Sequence, residues 1–396
     1  MDTTQVVELT SRHIMPSYGR LPVAFVRGRG SRLWDGEGRE YLDFLAGIAV
    51  CSVGHAHPRV AAAIAAQAQT LLHTSNLYHI GPQAELAERL CALSFADRAF
   101  FCNSGAEANE AAIKLVRKRS LKHHGPGRAE IITAYRSFHG RTMMTLAATA
   151  QEKYQKSFVP MPPGFRYVPY DDLAALEAAI SGETCAVMLE PLQAEGGLNI
   201  PSDGYLRGVR DICTRRGVLL VADEVQTGLG RTGTWWGHEH AGITPDVMTL
   251  AKSLGGGVPI GCCLCTEEVS VFEPGDHAST FGGNFLACAA ALATLDVLED
   301  EDLVRNAAER GAQLLSGLQA LVAHHDAAES ARGQGLLCGL DIAGDRAREV
   351  EAGCRERGLI VNALGTRTVR CAPPLIVSAA EVAEALGILD DALGAL

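Results

Sequence analysis

Short apolar runs alternate with stretches of helical spacing through the middle of this chain. From about Arg59, apolar residues recur three and four apart in some segments and run together in others, which predicts helices separated by buried strands. The predicted helices are residues 60–72, 83–93, 105–120, 172–180 and 204–216, and the predicted strands are residues 99–102, 130–133, 185–189, 218–222 and 247–250. Uninterrupted apolar strands between helices predict an α/β fold with a mostly parallel sheet covered on both faces.

Both ends of the chain have a different pattern. The first 60 residues combine a helix with short strands and turns. After residue 284 come two long helices, a strand, a helix, a short strand that ends at Arg370 and a last helix. We therefore predict three parts. They are a large α/β domain of residues 61–284, a smaller α+β domain of residues 285–396, and an N-terminal segment of residues 1–60 that packs with the smaller domain.

The residues that follow the predicted strands are the candidates for chemistry, because ligands of parallel sheets bind beyond the carboxyl ends of the strands. Lys252 follows the strand 247–250 and precedes three glycines. Burial lowers the pKa of such a lysine, and its neutral amine can attack a carbonyl, although a surface lysine before a glycine-rich loop is the simpler alternative. Asp223 follows the strand 218–222, where a buried carboxylate needs a donor or a cation, and a pyridinium nitrogen suits it.

Other strand ends offer groups for a phosphate and for carboxylates. Ser104 precedes a helix that starts with Gly105 and Ala106, and a helix start with small residues can bind an anion or be an ordinary capped end. Phe138 and Arg141 follow the strand 130–133, where they could stack on a planar ligand and bind a carboxylate. Glu195 lies in a glycine-rich loop, where it could be a charged gate or a solvated carboxylate. Ser279 and Thr280 precede a helix, where they could bind a phosphate or cap the helix.

Composition narrows the class of protein. The chain has 396 residues, is 47% hydrophobic and has a formal net charge of -11, which predicts a globular protein that is a poor binder of nucleic acid and of anionic membranes. No apolar run reaches the ~18 residues that a membrane-spanning helix needs. The 12 cysteines are scattered without a paired C-x-x-C spacing, so we expect reduced thiols in a cytoplasmic protein.

Two motifs are better interpreted as loops than as sites. Residues 228–233, Gly-Leu-Gly-Arg-Thr-Gly, fit the dinucleotide fingerprint G-x-G-x-x-G. That fingerprint must lie directly between a strand and a helix, and here it does not, so glycine turns are favoured over a nicotinamide site. His55 and His57 lie two residues apart without a third metal ligand nearby, which favours a loop before a helix over a metal site.

Taken together, these motifs resemble the class III pyridoxal-phosphate aminotransferases, which have the fold-type I architecture with a seven-stranded large-domain sheet. The matching stretches are Asp223-Glu-Val-Gln-Thr-Gly, Ala251-Lys252 before the glycines, and Thr280-Phe-Gly-Gly-Asn284, in the family's order and spacing. The resemblance covers essentially the whole chain. Within the family the chain is most similar to the acetylornithine aminotransferases, through residues 41–50, 101–110 and 138–142.

The resemblance implies a role for each group that meets the cofactor ring. Lys252 would attach to pyridoxal 5'-phosphate and move the proton between the amine carbon and the cofactor. Asp223 would keep the pyridine nitrogen protonated, so that the ring acts as an electron sink. Gln226 would bond the ring hydroxyl, and Phe138 would stack on the ring.

The phosphate of the cofactor would be bound from two subunits. The resemblance implies that Ser104, Gly105 and Ala106 hold it within one chain. Thr280, and with it Ser279, would reach the phosphate bound by the other chain, and Ser279 is also among the expected substrate-binding residues. The active sites would therefore be shared within a homodimer.

The resemblance also implies how substrates are held. Arg141 would bind the α-carboxylate of an acylated diamino acid, and Arg370 would bind the carboxylate next to the reacting amine of glutamate. Glu195 would neutralise Arg370 when the first substrate is bound and swing away for glutamate. Tyr18 and Ile48 would contact the substrate, and Ile48 stands where ornithine aminotransferases have a tyrosine, which suits an acylated amine.

The implied reaction is transfer of the δ-amino group of N2-acetyl-L-ornithine to 2-oxoglutarate, which gives N-acetyl-L-glutamate 5-semialdehyde and L-glutamate in arginine biosynthesis. N-succinyl-diaminopimelate, in lysine biosynthesis, is a further expected substrate. The alternatives are another ω-aminotransferase, acting on 4-aminobutyrate, ornithine or succinylornithine, and an aminomutase of the same fold. Four departures from the family pattern bear on substrate preference without removing a named chemical group: Cys51, Ala194, Ala222 and Phe285.

Overall fold

The computed structural model describes all 396 residues, which form three sheets and the helices that cover them. The helices are α1 (Thr3–His13), α2 (Ala46–Ala49), α3 (Pro58–Thr70), α4 (Gly81–Ala92), α5 (Gly105–His124), α6 (Met143–Ala148), α7 (Glu152–Gln155), α8 (Leu173–Ala179), α9 (Tyr205–Arg216), α10 (Phe285–Asp300), α11 (Leu303–His324), α12 (Ala347–Glu356) and α13 (Ala379–Gly394). The strands are β1 (Phe25–Arg29), β2 (Arg32–Asp35), β3 (Glu40–Asp43), β4 (Arg98–Cys102), β5 (Glu130–Ala134), β6 (Phe165–Val168), β7 (Thr184–Leu189), β8 (Leu219–Asp223), β9 (Val247–Leu250), β10 (Gly261–Cys265), β11 (Ala328–Gln334), β12 (Leu337–Ile342), β13 (Leu359–Ile360), β14 (Asn362–Leu364) and β15 (Thr368–Cys371).

The largest sheet has seven strands in the order β4-β10-β9-β8-β7-β5-β6. Strand β10 pairs antiparallel with both of its neighbours, and the other strands share one direction. The predicted α/β fold with a mostly parallel seven-stranded sheet is therefore confirmed. Since β4, β5, β7, β8 and β9 run the same way, the residues that follow them all emerge at one edge of the sheet.

Helices cover both faces of this sheet, which explains why its central strands are apolar along their whole length. Helix α5 buries Ala111, Ala112 and Leu115 against one face, and α9 buries Val209 and Ile212 against the other. Every residue of β7, β9 and β10 is buried. The edge of the sheet is consequently a rigid support for whatever side chains extend from it.

The two smaller sheets involve the ends of the chain. Strands β1, β2 and β3 form an antiparallel meander, and β13 from the C-terminal region adds to β3 in parallel. Strands β11, β12, β15 and β14 form an antiparallel sheet that is packed against α11 and α12. Arg370 lies on β15, in this C-terminal sheet. The division of the chain into three parts at residues 60 and 284 stays a prediction.

Several short strands were not predicted from the sequence. Strand β11 contains mostly polar residues without apolar alternation. It is a strand because it pairs with β12 along its whole length. Strand β6 is a short edge strand, and β3 is partnered on one side by the distant β13. These strands exist because of a partner far away in sequence, which local periodicity does not report.

The glycine-rich residues 228–233 form consecutive turns that precede a short 3-10 turn, Gly237–Ala241, so the interpretation as a loop is confirmed. His55 Nε2 lies 2.7 Å from Asp43 Oδ2, and His57 Nε2 lies 3.1 Å from Glu301 Oε1. All twelve cysteines are free thiols. Crossing a membrane would need a longer or more apolar helix than any in the structure.

The segment α2 is a turn of left-handed backbone. Ala46, Gly47, Ile48 and Ala49 have φ values of 50°, 65°, 67° and 58°. Left-handed backbone costs a residue other than glycine about 1–2 kcal/mol, so this turn needs external support. The buried carboxylate of Asp43 supplies some of it, because Oδ1 accepts hydrogen bonds of 2.9 Å from the backbone N–H groups of residues 45 and 46.

Candidate active site

A cavity of about 400 Å³ opens at the carboxyl edge of the large sheet. Most of the residues that line it come from the segments that follow β4, β5, β7, β8 and β9. Among them are Ser104, Gly105, Ala106, Asn109, Phe138, His139, Arg141, Glu190, Asp223, Val225, Gln226 and Lys252. Eight of the predicted site residues are therefore brought together in one place: Ser104, Gly105, Ala106, Phe138, Arg141, Asp223, Gln226 and Lys252.

Lys252 begins the 3-10 turn that follows β9 and has a φ of 39°. Burial lowers the pKa of its ammonium group to about 8, against the opposing influence of the carboxylates of Glu195 and Asp223. An amine with this pKa is substantially neutral in mildly alkaline solution. The side chain therefore has the property that a nucleophilic lysine requires.

Asp223 is the last residue of β8 and its side chain is 3% exposed. Its Oδ2 accepts hydrogen bonds of 2.7 Å from Asn109 Nδ2 and, in the matching tautomer, from His139 Nδ1, and its Oδ1 accepts one of 3.1 Å from the N–H of Val225. These donors stabilise a buried carboxylate. With Oδ2 already satisfied twice, Oδ1 is the oxygen available to a cationic ring nitrogen.

Sequence reasoning missed Asn109 and His139. Asn109 lies on the buried face of α5 among alanines, and a polar residue on such a face is a signal that could have been used. His139 is buried directly after Phe138, and its Nε2 has no hydrogen-bond partner. Both residues act through contacts with Asp223, which lies more than eighty positions away in sequence.

Helix α5 begins at the cavity in the way that an anion site requires. The N-cap Ser104 accepts a hydrogen bond from the N–H of Glu107, whereas the first N–H groups of a helix, here those of Gly105 and Ala106, have no intrahelical partner. A Cβ atom on Gly105 would lie 2.8 Å from Val225 Cγ1, so only glycine fits there. Two free donors and the positive end of the helix dipole favour a phosphate.

A chain of contacts joins the cavity to the C-terminal sheet. Arg370 Nη1 donates to Glu195 Oε1 over 2.5 Å and to Gln226 Oε1 over 3.0 Å, and Gln226 Nε2 donates to Glu195 over 3.2 Å. Arg370 Nη2 also donates to Asn362 over 2.8 Å. Although burial opposes ionisation of Glu195, the charges of Arg370 and Lys252 and these hydrogen bonds lower its pKa to about 2. Glu195 is therefore a carboxylate that masks Arg370.

Arg141, unlike Arg370, has no carboxylate partner. Its guanidinium lies 3.9 Å from the centre of the Tyr154 ring and 5.5 Å from that of the half-buried Phe138. It is exposed and forms no ion pair with a carboxylate of the chain. The aromatic rings position its planar cation without neutralising it, so it is free to bind a carboxylate. Tyr154, which sequence reasoning missed, supplies the closer ring.

Glu195 and Arg370 lie beside this cavity, joined to it through Gln226, and four further predicted site residues lie outside it. Tyr18 is 73% exposed, Ile48 is 40% exposed, and Thr280 is also exposed. Ser279 Oγ accepts a hydrogen bond of 3.1 Å from Asn103 Nδ2. Within a single chain these residues are not brought to the reacting groups.

The groups around the cavity fit pyridoxal phosphate. That molecule needs an amine for its aldehyde, a carboxylate for its ring nitrogen and donors for its phosphate. Lys252, Asp223 and the start of α5 provide these three kinds of group around one cavity. The predicted cofactor therefore fits the groups that surround the cavity.

Comparisons with known proteins point the same way. A family model described as aminotransferase class-III matches residues 14–393. The chain is 55% identical over 387 residues to an acetylornithine aminotransferase of Gloeobacter violaceus, covering 97% of this chain and 96% of that protein.

Solved structures give the same result for the fold. An ornithine aminotransferase of Toxoplasma gondii matches with a TM-score of 0.97 and 35% identity, over 100% of this chain and 96% of that one. An acetylornithine aminotransferase of Elizabethkingia anophelis matches with a TM-score of 0.90 and 33% identity, over 100% of both chains. On these grounds, and on the site that its strand ends build, this chain belongs to the class III aminotransferases.

Proposed function

We propose that this chain is a pyridoxal-phosphate enzyme that transfers the δ-amino group of N2-acetyl-L-ornithine to 2-oxoglutarate, in arginine biosynthesis. The observation that carries the proposal is the contrasting state of two arginines, since Arg141 is free and Arg370 is masked by Glu195. A site with one open and one masked arginine suits two substrates of which only one has a carboxylate next to its reacting amine. Relatives named acetylornithine aminotransferase, at 46–55% identity, support the choice of substrate.

The chain's own residues would each perform one task. The cofactor supplies an electron-withdrawing ring that stabilises negative charge on the substrate carbon. Lys252 would hold the cofactor at its aldehyde carbon and, once the substrate amine has displaced it, would carry a proton at Nζ from the amine-bearing carbon of the substrate to the cofactor. Asp223 would keep the ring nitrogen protonated, with Asn109 and His139 holding the carboxylate in place.

The remaining cofactor contacts are proposals of the same kind. Gln226 would bond the ring hydroxyl, and Phe138 would pack on the ring face. Ser104, Gly105 and Ala106 would hold the phosphate through the start of α5, which lines the cavity.

Substrate exchange would depend on Glu195. With acetylornithine bound, Arg141 would hold the α-carboxylate at the far end of the substrate, and Glu195 would stay on Arg370 because no carboxylate adjoins the reacting carbon. Glutamate carries such a carboxylate, which would replace Glu195 on Arg370. Ile48 and Tyr18 would contact the acylated end of the substrate. N-succinyl-diaminopimelate, which has an acylated amine at one end and, like glutamate, a carboxylate beside its reacting amine, is a further proposed substrate.

We also propose a homodimer with shared active sites, in the cytoplasm. Exposed apolar side chains support the dimer, since Leu77 is 86% exposed, Tyr78 69% and Phe281 59%. Thr280 and Ser279 adjoin Phe281, so a partner that covers this patch would receive them at its own site. The free state of all twelve thiols supports a reducing compartment.

The test is a single-turnover comparison of amine donors. Loss of the visible absorbance of the lysine-bound cofactor would be followed with N2-acetylornithine, succinylornithine, ornithine, 4-aminobutyrate and glutamate in turn. We expect fast conversion with acetylornithine and glutamate and slow conversion with ornithine. Preference for free ornithine or 4-aminobutyrate would keep the family and replace the substrate. If the absorbance recovered without added 2-oxoglutarate, the enzyme would be an aminomutase.

A further inference from the structure

Glu190 is a third acidic group of the cavity, to which the proposed mechanism assigns nothing. It directly follows β7, its side chain is 6% exposed, and it lines the same cavity as Asp223 and Lys252. A buried carboxylate is costly unless donors or a cation compensate it. The state of Glu190 therefore depends on which donors the neighbouring groups leave available.

The donors are unequally divided among the three carboxyl groups. Asp223 has three: Asn109, His139 and the N–H of Val225. Glu195 has two, from Arg370 and Gln226. Glu190 has one neutral donor, the N–H of Phe138, at 3.1 Å from its Oε2.

Burial and the two neighbouring carboxylates outweigh the groups that favour ionisation of Glu190. Burial, the carboxylate of Asp223 and that of Glu195 raise the pKa of Glu190 well above its usual range. The N–H of Phe138 and the ammonium of Lys252 oppose them. Tyr170 approaches only the backbone of this residue, because its hydroxyl donates to the carbonyl oxygens of residues 190 and 191.

We propose that Glu190 stays protonated in the working enzyme, as a neutral hydrogen-bond donor within the cavity. Its Oε2 holds the backbone of Phe138, and its other oxygen is available to whatever occupies the cavity. A neutral Glu190 also spares the site a third negative charge beside Asp223 and Glu195. This matters for the proposed function, on which the inference rests, because 2-oxoglutarate is a dianion and must bind near these groups.

The kinetic test compares Glu190→Gln, which keeps a donor and an acceptor without a charge, with Glu190→Leu, which keeps neither. Alkaline pH deprotonates Glu190 in the native enzyme only. Between neutral and alkaline pH, KM for 2-oxoglutarate should therefore rise by about tenfold more in the native enzyme than in either variant. The Gln variant should retain about tenfold more kcat than the Leu variant, the worth of one hydrogen bond. Glu183→Gln, an exposed position on the same segment, is the matched control for loss of one negative charge.

A measurement without substrate or activity separates this inference from the proposed function. Isotope-edited infrared spectra of the cofactor-free protein at neutral pH should contain a protonated-carboxyl band that is absent from Glu190→Gln and that disappears at alkaline pH. A carboxylate band at neutral pH instead would overturn the proposal. So would equal pH profiles of KM in the native and Gln enzymes, or a Gln variant as inactive as the Leu variant. If the variants fail to fold, the alkaline disappearance of the band in the native protein decides alone.

Discussion

At the scale of single residues, the candidate site depends on side chains whose properties are set by their neighbours. Lys252 has a lowered pKa because it is buried, and Glu195 has a lowered pKa because Arg370 and Lys252 face it. Asp223 keeps its orientation because three donors hold its oxygens. None of these side chains would have the same chemistry on the surface of the molecule.

The pKa of Lys252 predicts how the cofactor-free protein captures pyridoxal phosphate. Only the neutral amine attacks the aldehyde, so the capture rate should rise with pH through about 8 and then level off. Stopped-flow absorbance on mixing the two components measures it. Lys252→Ala should bind the cofactor without a covalent link, as borohydride reduction would reveal. A rate that keeps rising to about pH 10, the usual range of lysine, would contradict the prediction.

The Glu195–Arg370 pair predicts an asymmetry between the two half-reactions. In Glu195→Ala, Arg370 would be an uncompensated buried cation beside the reacting carbon of acetylornithine, whereas glutamate would still neutralise it. Because a buried charge pair is lost, we expect the acetylornithine half-reaction to slow about a hundredfold. The glutamate half-reaction should change by less than about threefold. Single-turnover rates with each amine measure both. Equal slowing of the two halves would refute the exchange, and Glu195→Gln separates loss of charge from loss of volume.

At the scale of secondary structure, helix α5 organises much of the site. Its first turn offers the phosphate donors, and one turn later Asn109 reaches Asp223. Further along, Lys114 Nζ bonds the carbonyl of Asp276 and the ring of His277, and Lys118 bonds the carboxylate of Asp276. The same helix thus fixes the loop that precedes Ser279 and Thr280.

The start of α5 also depends on close packing against β10. A Cβ atom on Gly261 would lie 2.3 Å from the carbonyl oxygen of Ser104, a backbone atom that cannot move without displacing the helix start. Gly261→Ala should therefore weaken pyridoxal-phosphate binding by about tenfold or more, measured by fluorescence titration of the cofactor-free protein. Gly387→Ala, exposed within α13 with no atom near its Cβ, is the control, and it should slightly stabilise the protein. Unchanged cofactor affinity in Gly261→Ala would contradict this account.

Sequence alone was sufficient for the residues that directly follow strands. Lys252, Asp223 and Ser104 were identifiable because an apolar run precedes each, and parallel strands bring such positions to one edge. Asn109, His139 and Tyr154 were not, because each matters through a partner from a distant segment. Glu190 directly follows β7 but was also missed, because its state depends on the donors that distant residues leave available. Thr280 and Ser279 are different again, since their proposed contacts belong to a second chain and one chain does not bring them to the cavity.

At the scale of the whole molecule, the site joins parts of the chain that are far apart. Glu195 extends from the loop after β7 of the large sheet, and Arg370 stands on β15 of the C-terminal sheet. The parallel pairing of β3 with β13 ties the first residues to the C-terminal region. The proposed exchange of partners at Arg370 would therefore take place across a boundary between sheets.

The ion pair of His55 with Asp43 predicts how the stability of the molecule depends on pH. Although burial opposes it, the hydrogen bonds and charges of Asp43 and Cys51 raise the pKa of His55 from 6.5 to about 9. The folded state then binds the proton more tightly than the unfolded state. This contribution to stability is fully present below pH 6.5 and is lost as the pH rises to about 9.

Thermal unfolding at a series of pH values measures this effect. The melting temperature of the native protein should decline between pH 6.5 and about 9, and that of His55→Gln should decline less over the same interval. His324→Gln, an exposed histidine at the end of α11, is the control and should follow the native protein. Parallel curves for the native and His55→Gln proteins would exclude this ion pair as the source.

The left-handed turn at residues 46–49 has a consequence for how such enzymes diverge. Asp43 holds the start of this turn through the N–H groups of residues 45 and 46, so its support does not come from the side chain at position 48. Replacing Ile48 by tyrosine even removes a β-branched side chain from a φ of 67°, where branching is least tolerated. With Ile48 in its proposed role, a change of substrate range would need a single amino-acid substitution on an unaltered scaffold. The turn would then let substrate preference evolve separately from the fold.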